Sequence, residues 1–226
     1  MKNDDLSKLY EIIRIIDNNH ELLYKNHWRV TRAEAYEWWD GLDSAEKIVI
    51  SAILVQQTRW EVAKSATEKI FKIVKNIQEL KNIDEMTLLE AIRGVSFPKR
   101  KIYTIKEFSN LVSIYNSLDK LLTISNRNTL LGIKGIGEET ADSILLFAGN
   151  QKVFPISNYL KRIFSRIFIK PPNKNLILQV LNDNLYYYKL LHAGIVSVGR
   201  SFCKVLNPDC KACIFKDLCY YFNRRV

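Results

Sequence analysis

Apolar residues recur along this chain at helical spacing. Leu6, Leu9, Ile12, Ile13 and Ile16, then Leu22 and Leu23, sit among charged residues over positions 4 to 26, which predicts one amphipathic helix or two. Asp43-Ser44-Ala45-Glu46 suits a helix start, and Ile48, Val49, Ala52, Ile53 and Val55 follow it. That helix is apolar nearly all round, so it is expected to be buried and to run out to Gln56, Gln57 and Thr58. Helical spacing returns over 60–74, 84–93, 102–115 and 117–124, from Gly137 to about Phe147, and then over 158–168, 173–188 and 190–202. Gly94 to Pro98 and Pro171-Pro172 interrupt it. Helices follow one another without alternating strands, which excludes a doubly wound sheet and makes the fold class all-α. Trp28, Trp38 and Trp39, in the connector over 27–43, read as aromatic anchors of a core.

Composition adds a core and a charge. At 226 residues, 47% hydrophobic and 11% aromatic, the chain carries enough apolar mass for a large core. Its 34 Lys and Arg against 24 Asp and Glu leave a net charge of +10, which favours an anionic partner, nucleic acid ahead of an acidic membrane surface. No run of apolar residues is long enough to span a bilayer, and Met-Lys-Asn-Asp-Asp-Leu is no secretory signal, so a cytoplasmic protein is expected.

Two stretches carry candidate chemistry. Gly132, Gly135 and Gly137 crowd into six positions, directly before the apolar face Ala141, Ile144, Leu145 and Ala148. A tight Gly-Ile-Gly turn feeding a helix N-terminus offers N–H groups and a favourable dipole to a phosphate; it is also an ordinary way to start a core helix. Sixty residues on, Cys203, Cys210, Cys213 and Cys219 are all the cysteines the chain has. Four clustered thiolates hold zinc or a [4Fe–4S] cluster, and two disulfides are disfavoured in a chain without a secretory signal.

Taken together, the two stretches resemble the endonuclease III family of helix-hairpin-helix (HhH-GPD) DNA glycosylases. Ile133-Lys134-Gly135-Ile136-Gly137 stands where that family has Leu-Pro-Gly-Val-Gly, and Gly199-Arg200-Ser201-Phe202-Cys203 is similar to its lead-in to the cysteines. The cysteine spacing of six, two and five matches without a gap and implies a [4Fe–4S] cofactor. Lys-Gly-Ile-Gly-x-Glu-Thr-Ala-Asp-Ser-Ile looks closest to an endonuclease III-related branch that includes a 3-methyladenine glycosylase. The resemblance implies a two-lobed fold: a helical barrel over 42–149 with the hairpin, and 1–41 packed with 150–226 around the cluster. It also implies a monomer that binds double-stranded DNA with a damaged or mismatched base, flipping the nucleotide into a cleft between the lobes. Gln56, with Gln57 beside it, matches the glutamine that fills the gap left in the duplex; without the resemblance, both read equally as the capped end of a helix. Lys99, Lys134, Gly135, Gly137, Thr140, Lys204 and Lys211 are the expected DNA-backbone contacts, with Arg100 and Lys101 in the same charge run as Lys99.

The family's catalytic residues are missing. The position of its Asp, which faces the cationic sugar, holds Ser157, and the position of its Schiff-base Lys holds Glu139. The chain is therefore expected to be a base-excision glycosylase without lyase activity that uses another carboxylate, Glu139 first, or else a lesion-binding protein without turnover. An Asp replaced by Ser157, or a correspondence shifted by one residue, would also account for it. Against a shift stands the absence of any acidic residue between Asp142 and Asp183. Asp142, one turn beyond Glu139, reads as a surface residue.

Overall fold

The structure, a computed structural model, describes residues 2–224. It is all-α. The helices are α1 (Lys2–Asp17), α2 (His20–Lys25), α3 (Ala45–Leu54), α4 (Trp60–Ile73), α5 (Glu85–Ala91), α6 (Pro98–Ile114) and α7 (Leu118–Leu121). They continue as α8 (Arg127–Leu131), α9 (Glu138–Phe147), α10 (Asn158–Ile167), α11 (Lys174–Leu181), α12 (Leu185–Ser201) and α13 (Tyr220–Asn223). The chain divides into two compact units, Met1–Gly41 with Phe154–Val226, and Leu42–Val153.

In the second unit α3 is the buried centre. Ser44 caps it, its hydroxyl accepting from the Lys47 N–H at 3.3 Å, and Ile48 to Leu54 are all buried. It packs against α4, α6 and α9. The helix stops at Leu54, short of the expected Gln56–Thr58, because Gln57 takes φ +53° and cannot continue a right-handed helix. Helix α6 opens on Pro98, whose ring suits the first helical position.

In the first unit α12 is central and packs against α1, α2, α10 and α11. Gly199 allows the approach to α10, since a Cβ there would collide with the Tyr159 ring. The break expected after 188 falls earlier. Asn182 and Asp183 both take left-handed backbone, which Asn and Asp tolerate, and Asn184 caps α12 by accepting from the Tyr186 N–H at 3.0 Å. Trp28, Trp38 and Trp39 are buried, Trp28 edge-on to Trp39 with ring centroids 5.2 Å apart.

His192 of α12 lies in this core, edge-on to Trp28 at 5.7 Å and to Phe154 at 6.5 Å. Burial pushes its pKa down to about 4. A folded-state pKa below the ordinary 6.5 means that the unfolded chain binds the proton first, so stability is lost as pH falls from 6.5 towards 4. Urea unfolding at pH 7 and pH 5 is expected to show about 2 kcal/mol of this loss, and His192→Leu is expected to remove that increment from the pH dependence.

Candidate nucleic-acid interface and cysteine loop

The hairpin sits between α8 and α9. Gly135 carries φ +105°, and a Cβ at 135 would collide with Thr104 Oγ1, so the turn needs glycine on both counts. Gly137 is different: it is the N-terminal residue before α9, with φ −93° and open space around a built Cβ. Thr104 Oγ1 donates to the Lys134 carbonyl at 2.9 Å, fastening the turn to α6. Asp142 is a correction to the sequence reading. It is buried, and its carboxylate receives Arg127 Nε at 2.5 Å and Nη2 at 3.1 Å, a bidentate pair that ties α8 to α9 across the hairpin. The same contact raises the pKa of Arg127.

The Gln56–Gln57 turn lies in the same unit as the hairpin. Gln56 Nε2 donates to the Gly135 carbonyl at 3.1 Å, while Gln57 is exposed. Of the charge run at 99–101, Lys99 and Arg100 are exposed but Lys101 is buried. Its ammonium donates to the carbonyls of Leu54 and Gln56, each at 2.6 Å, and to Thr58 Oγ1 at 2.9 Å. Burial lowers its pKa to about 8. Lys101 is therefore no phosphate contact; its spacing to Ile105, Phe108 and Val112 puts it on the buried face of α6, a signal that the reading of 99–101 as one charge run passed over. Lys134 and Glu139 are exposed and Thr140 is half-buried; Glu139 stands in the first turn of α9, where the helix dipole favours a carboxylate.

Ser157 belongs to the other unit. It is 1% exposed and caps α10, its Oγ accepting from the Leu160 N–H at 3.1 Å. Further along α10, two arginines hold the cysteine loop. Arg162 donates to the carbonyls of Cys203 at 2.8 Å and Gly199 at 3.3 Å. Arg166 donates to Cys203 Sγ at 3.2 Å and to the carbonyls of Lys204 at 2.7 Å and Val205 at 3.1 Å. The sequence reading missed this pair, although their i, i+4 spacing on the polar face of an amphipathic helix marks them as neighbours. Cys203, Cys210, Cys213 and Cys219 line one pocket. Burial raises the pKa of the Cys213 thiol to about 11 and that of Cys219 in the same direction. No group of three or more His, Cys, Asp or Glu that would hold a metal ion is found among the described residues. Lys204 and Lys211 are exposed on the loop. No helix among the described residues is long and apolar enough to cross a membrane.

Two helices joined by a glycine turn, followed by a four-cysteine loop, define a helix-hairpin-helix protein. The family model of the HhH-GPD superfamily base excision DNA repair proteins matches residues 50–183, and the chain belongs to that family. A protein of Methanocaldococcus jannaschii, provisionally named a DNA repair glycosylase, is 30% identical over 217 residues, covering 90% of this chain and 98% of its own length. Endonuclease III of Sulfolobus acidocaldarius is 30% identical over 189 residues, covering 77% and 81%. Among solved structures, a trapped endonuclease III–DNA covalent intermediate shares the fold with a TM-score of 0.72 at 16% identity, over 100% of this chain and 98% of that one. The Helicobacter pylori 3-methyladenine DNA glycosylase MagIII, bound to 1,N6-ethenoadenine, shares it with a TM-score of 0.68 at 20% identity, over 85% and 97%.

The two hairpin glycines are expected to respond differently to substitution. Gly135→Ala meets both a left-handed φ and Thr104, and thermal unfolding is expected to show a loss of about 1–3 kcal/mol. Gly137→Ala is expected to cost less, about 0.5–1 kcal/mol, since neither obstacle exists there and only the preference of the α9 N-cap for Gly over Ala is lost.

Proposed function

We propose that the protein binds duplex DNA through the hairpin and removes a modified base by hydrolysing its N-glycosidic bond, without cutting the strand. The observation that supports this reading is the bond from Gln56 Nε2 to the Gly135 carbonyl at 3.1 Å, which joins the glutamine we assign to gap filling to the turn we assign to phosphate binding. Lys99, Lys134, Lys204 and Lys211 would meet backbone phosphates, together with the N–H groups around Gly135, Gly137 and Thr140. The duplex partner is one whose damaged or mismatched base is extruded, and the acting species is a monomer. In the reaction the base departs with the bonding electrons, positive charge develops on the sugar, and a water oxygen then bonds to the anomeric carbon while its proton passes, directly or through solvent, to the departed base. A carboxylate stabilises that charge. The Ser157 hydroxyl is neutral and already engaged in its cap, which leaves Glu139 as the acidic group assigned to this role.

We assign a [4Fe–4S] cluster to the four cysteines because all four residues line one pocket and their number and spacing suit a cluster whose every ligand is a protein thiolate. Cys203, Cys210, Cys213 and Cys219 would hold it as thiolates, each giving up its thiol proton on ligation. With no open coordination position implied, the cluster would stiffen the loop that bears Lys204 and Lys211.

One observation favours a second reading, a lesion-binding protein without turnover: at 1% exposure Ser157 offers the sugar no charge. Duplexes carrying uracil, 3-methyladenine or 8-oxoguanine, incubated with the protein and then treated with alkali, separate the two readings. Base loss on any of them supports the enzyme; tight binding with no base loss supports the binder. Binding of either kind is expected to weaken with salt, with a slope of about −0.9 per phosphate contact.

Borohydride is expected to trap no covalent adduct on abasic DNA, because the carboxylate of Glu139 cannot form a Schiff base. Ser157→Asp is expected to keep the α10 cap, Asp being a capping residue as good as Ser, and to raise base release; with Glu139→Lys added, trapping should appear. Efficient trapping by the unmodified protein would overturn the assignment of Glu139.

Purified protein is expected to be brown, with broad absorption in the blue, and each Cys→Ser substitution to bleach it. A colourless, stable protein with stoichiometric zinc would defeat the cluster assignment.

A further inference from the structure

The strongest uncommitted feature is the buried ammonium of Lys101. All three of its N–H donors are used, on the carbonyls of Leu54 and Gln56 and on Thr58 Oγ1. Leu54 ends α3, so the positive charge sits at the negative end of that helix and satisfies one of its orphan carbonyls. Gln57, between the anchors at 56 and 58, holds φ +53°, a backbone state that a non-glycine keeps only when its surroundings impose it. Ser96 completes the clamp from the other side: its N–H donates to Thr58 Oγ1 at 3.1 Å and its Oγ to the Gln57 carbonyl at 2.9 Å. One turn along α6, Thr104 holds the hairpin through the Lys134 carbonyl. The first two turns of α6 therefore fasten both turns that the proposed function places against DNA, and Lys101 does so from beneath the surface.

We propose that Lys101 is a positioning residue that holds the Gln56–Gln57 turn in its left-handed form and in register with the hairpin, and thereby sets how strongly the protein prefers a duplex lacking a base to an intact one. This rests on the reading that Gln56 enters the duplex gap. Lys101 makes no DNA contact in this role, so its loss changes the preference and leaves the phosphate footprint alone.

The test compares Lys101→Met, which keeps the apolar stem and removes every donor, with Gln56→Ala and with the double variant. Dissociation constants are measured by fluorescence anisotropy for a duplex carrying a tetrahydrofuran abasic analogue and for the same duplex intact, over a range of salt. Lys101→Met is expected to cut the preference for the abasic duplex about tenfold, the cost of losing bonds to a charged donor, with the salt slope unchanged. In the Gln56→Ala background it is expected to add less than about twofold, as for two residues acting through one element. A parallel loss on both duplexes with a slope reduced by about 0.9 would make Lys101 a phosphate contact and overturn the proposal. So would an unchanged preference in a folded variant with lowered stability, which would leave Lys101 a merely structural residue. If Lys101→Met does not fold, Thr58→Val removes the hydroxyl that Lys101 and Ser96 share, and an unchanged preference there overturns the proposal equally. No preference in the unmodified protein, or none lost in Gln56→Ala, would sink the gap-filling reading itself. A preference lost in Gln56→Ala and kept in Lys101→Met sinks only the role of Lys101.

Discussion

Helix α6 and the hairpin turn approach so closely that residue 135 has no room for a side chain. Much of the second unit follows from that contact. The left-handed φ of Gly135 turns the chain from α8 into α9, Thr104 takes the Lys134 carbonyl, and the Gly135 carbonyl is left to receive Gln56. Thr104 Oγ1 also lies 3.0 Å from the Arg100 carbonyl, so its one proton is shared between that oxygen and the Lys134 carbonyl, and the hydroxyl is directed by the same helix that carries Lys101. A hydroxyl and an ammonium one turn apart, both aimed at backbone carbonyls, make the start of α6 the support on which two otherwise independent turns are hung.

Buried charge recurs in this unit in two forms. Arg127 and Asp142 form a bidentate pair, so each charge is compensated where it is desolvated. Lys101 has no anion among its bonded partners and relies on neutral oxygen acceptors and the end of a helix dipole. The difference shows in the direction of the shifts: Arg127 is raised by its partner, and Lys101 is lowered by desolvation. Removing one member of the compensated pair leaves an isolated buried charge, whereas removing Lys101 releases backbone carbonyls to water or to new partners, and the turn above them with it.

The first unit uses charge for another purpose. Arg162 and Arg166 reach from α10 to carbonyls of the loop that begins at Cys203, so the helix capped by Ser157 also positions the cysteines. A substitution at the cap thus acts on a helix that carries a candidate catalytic position at one end and the cysteine loop near the other. Ser157 retains the capping function of an Asp at that position while giving up its charge.

By itself the sequence determined the helices, the hairpin and the family, because these rest on local signals: apolar spacing, the helix start at Ser44, closely spaced glycines, and four cysteines at fixed intervals. It placed the end of α3 and the break before α12 a few residues off, since Gln57, Asn182 and Asp183 take left-handed backbone that no periodicity announces. Only the tertiary structure decided which charges are buried and whom they serve. Asp142 reads as solvent-facing and is paired with Arg127; Lys101 reads as one of three basic residues in a row and is the single buried one. The partners that make the difference lie 47 residues away for Lys101 and Leu54, and 79 for Gln56 and Gly135. A hydrogen bond over such separations exists only once packing has brought its two ends together, and nothing in the local sequence encodes that.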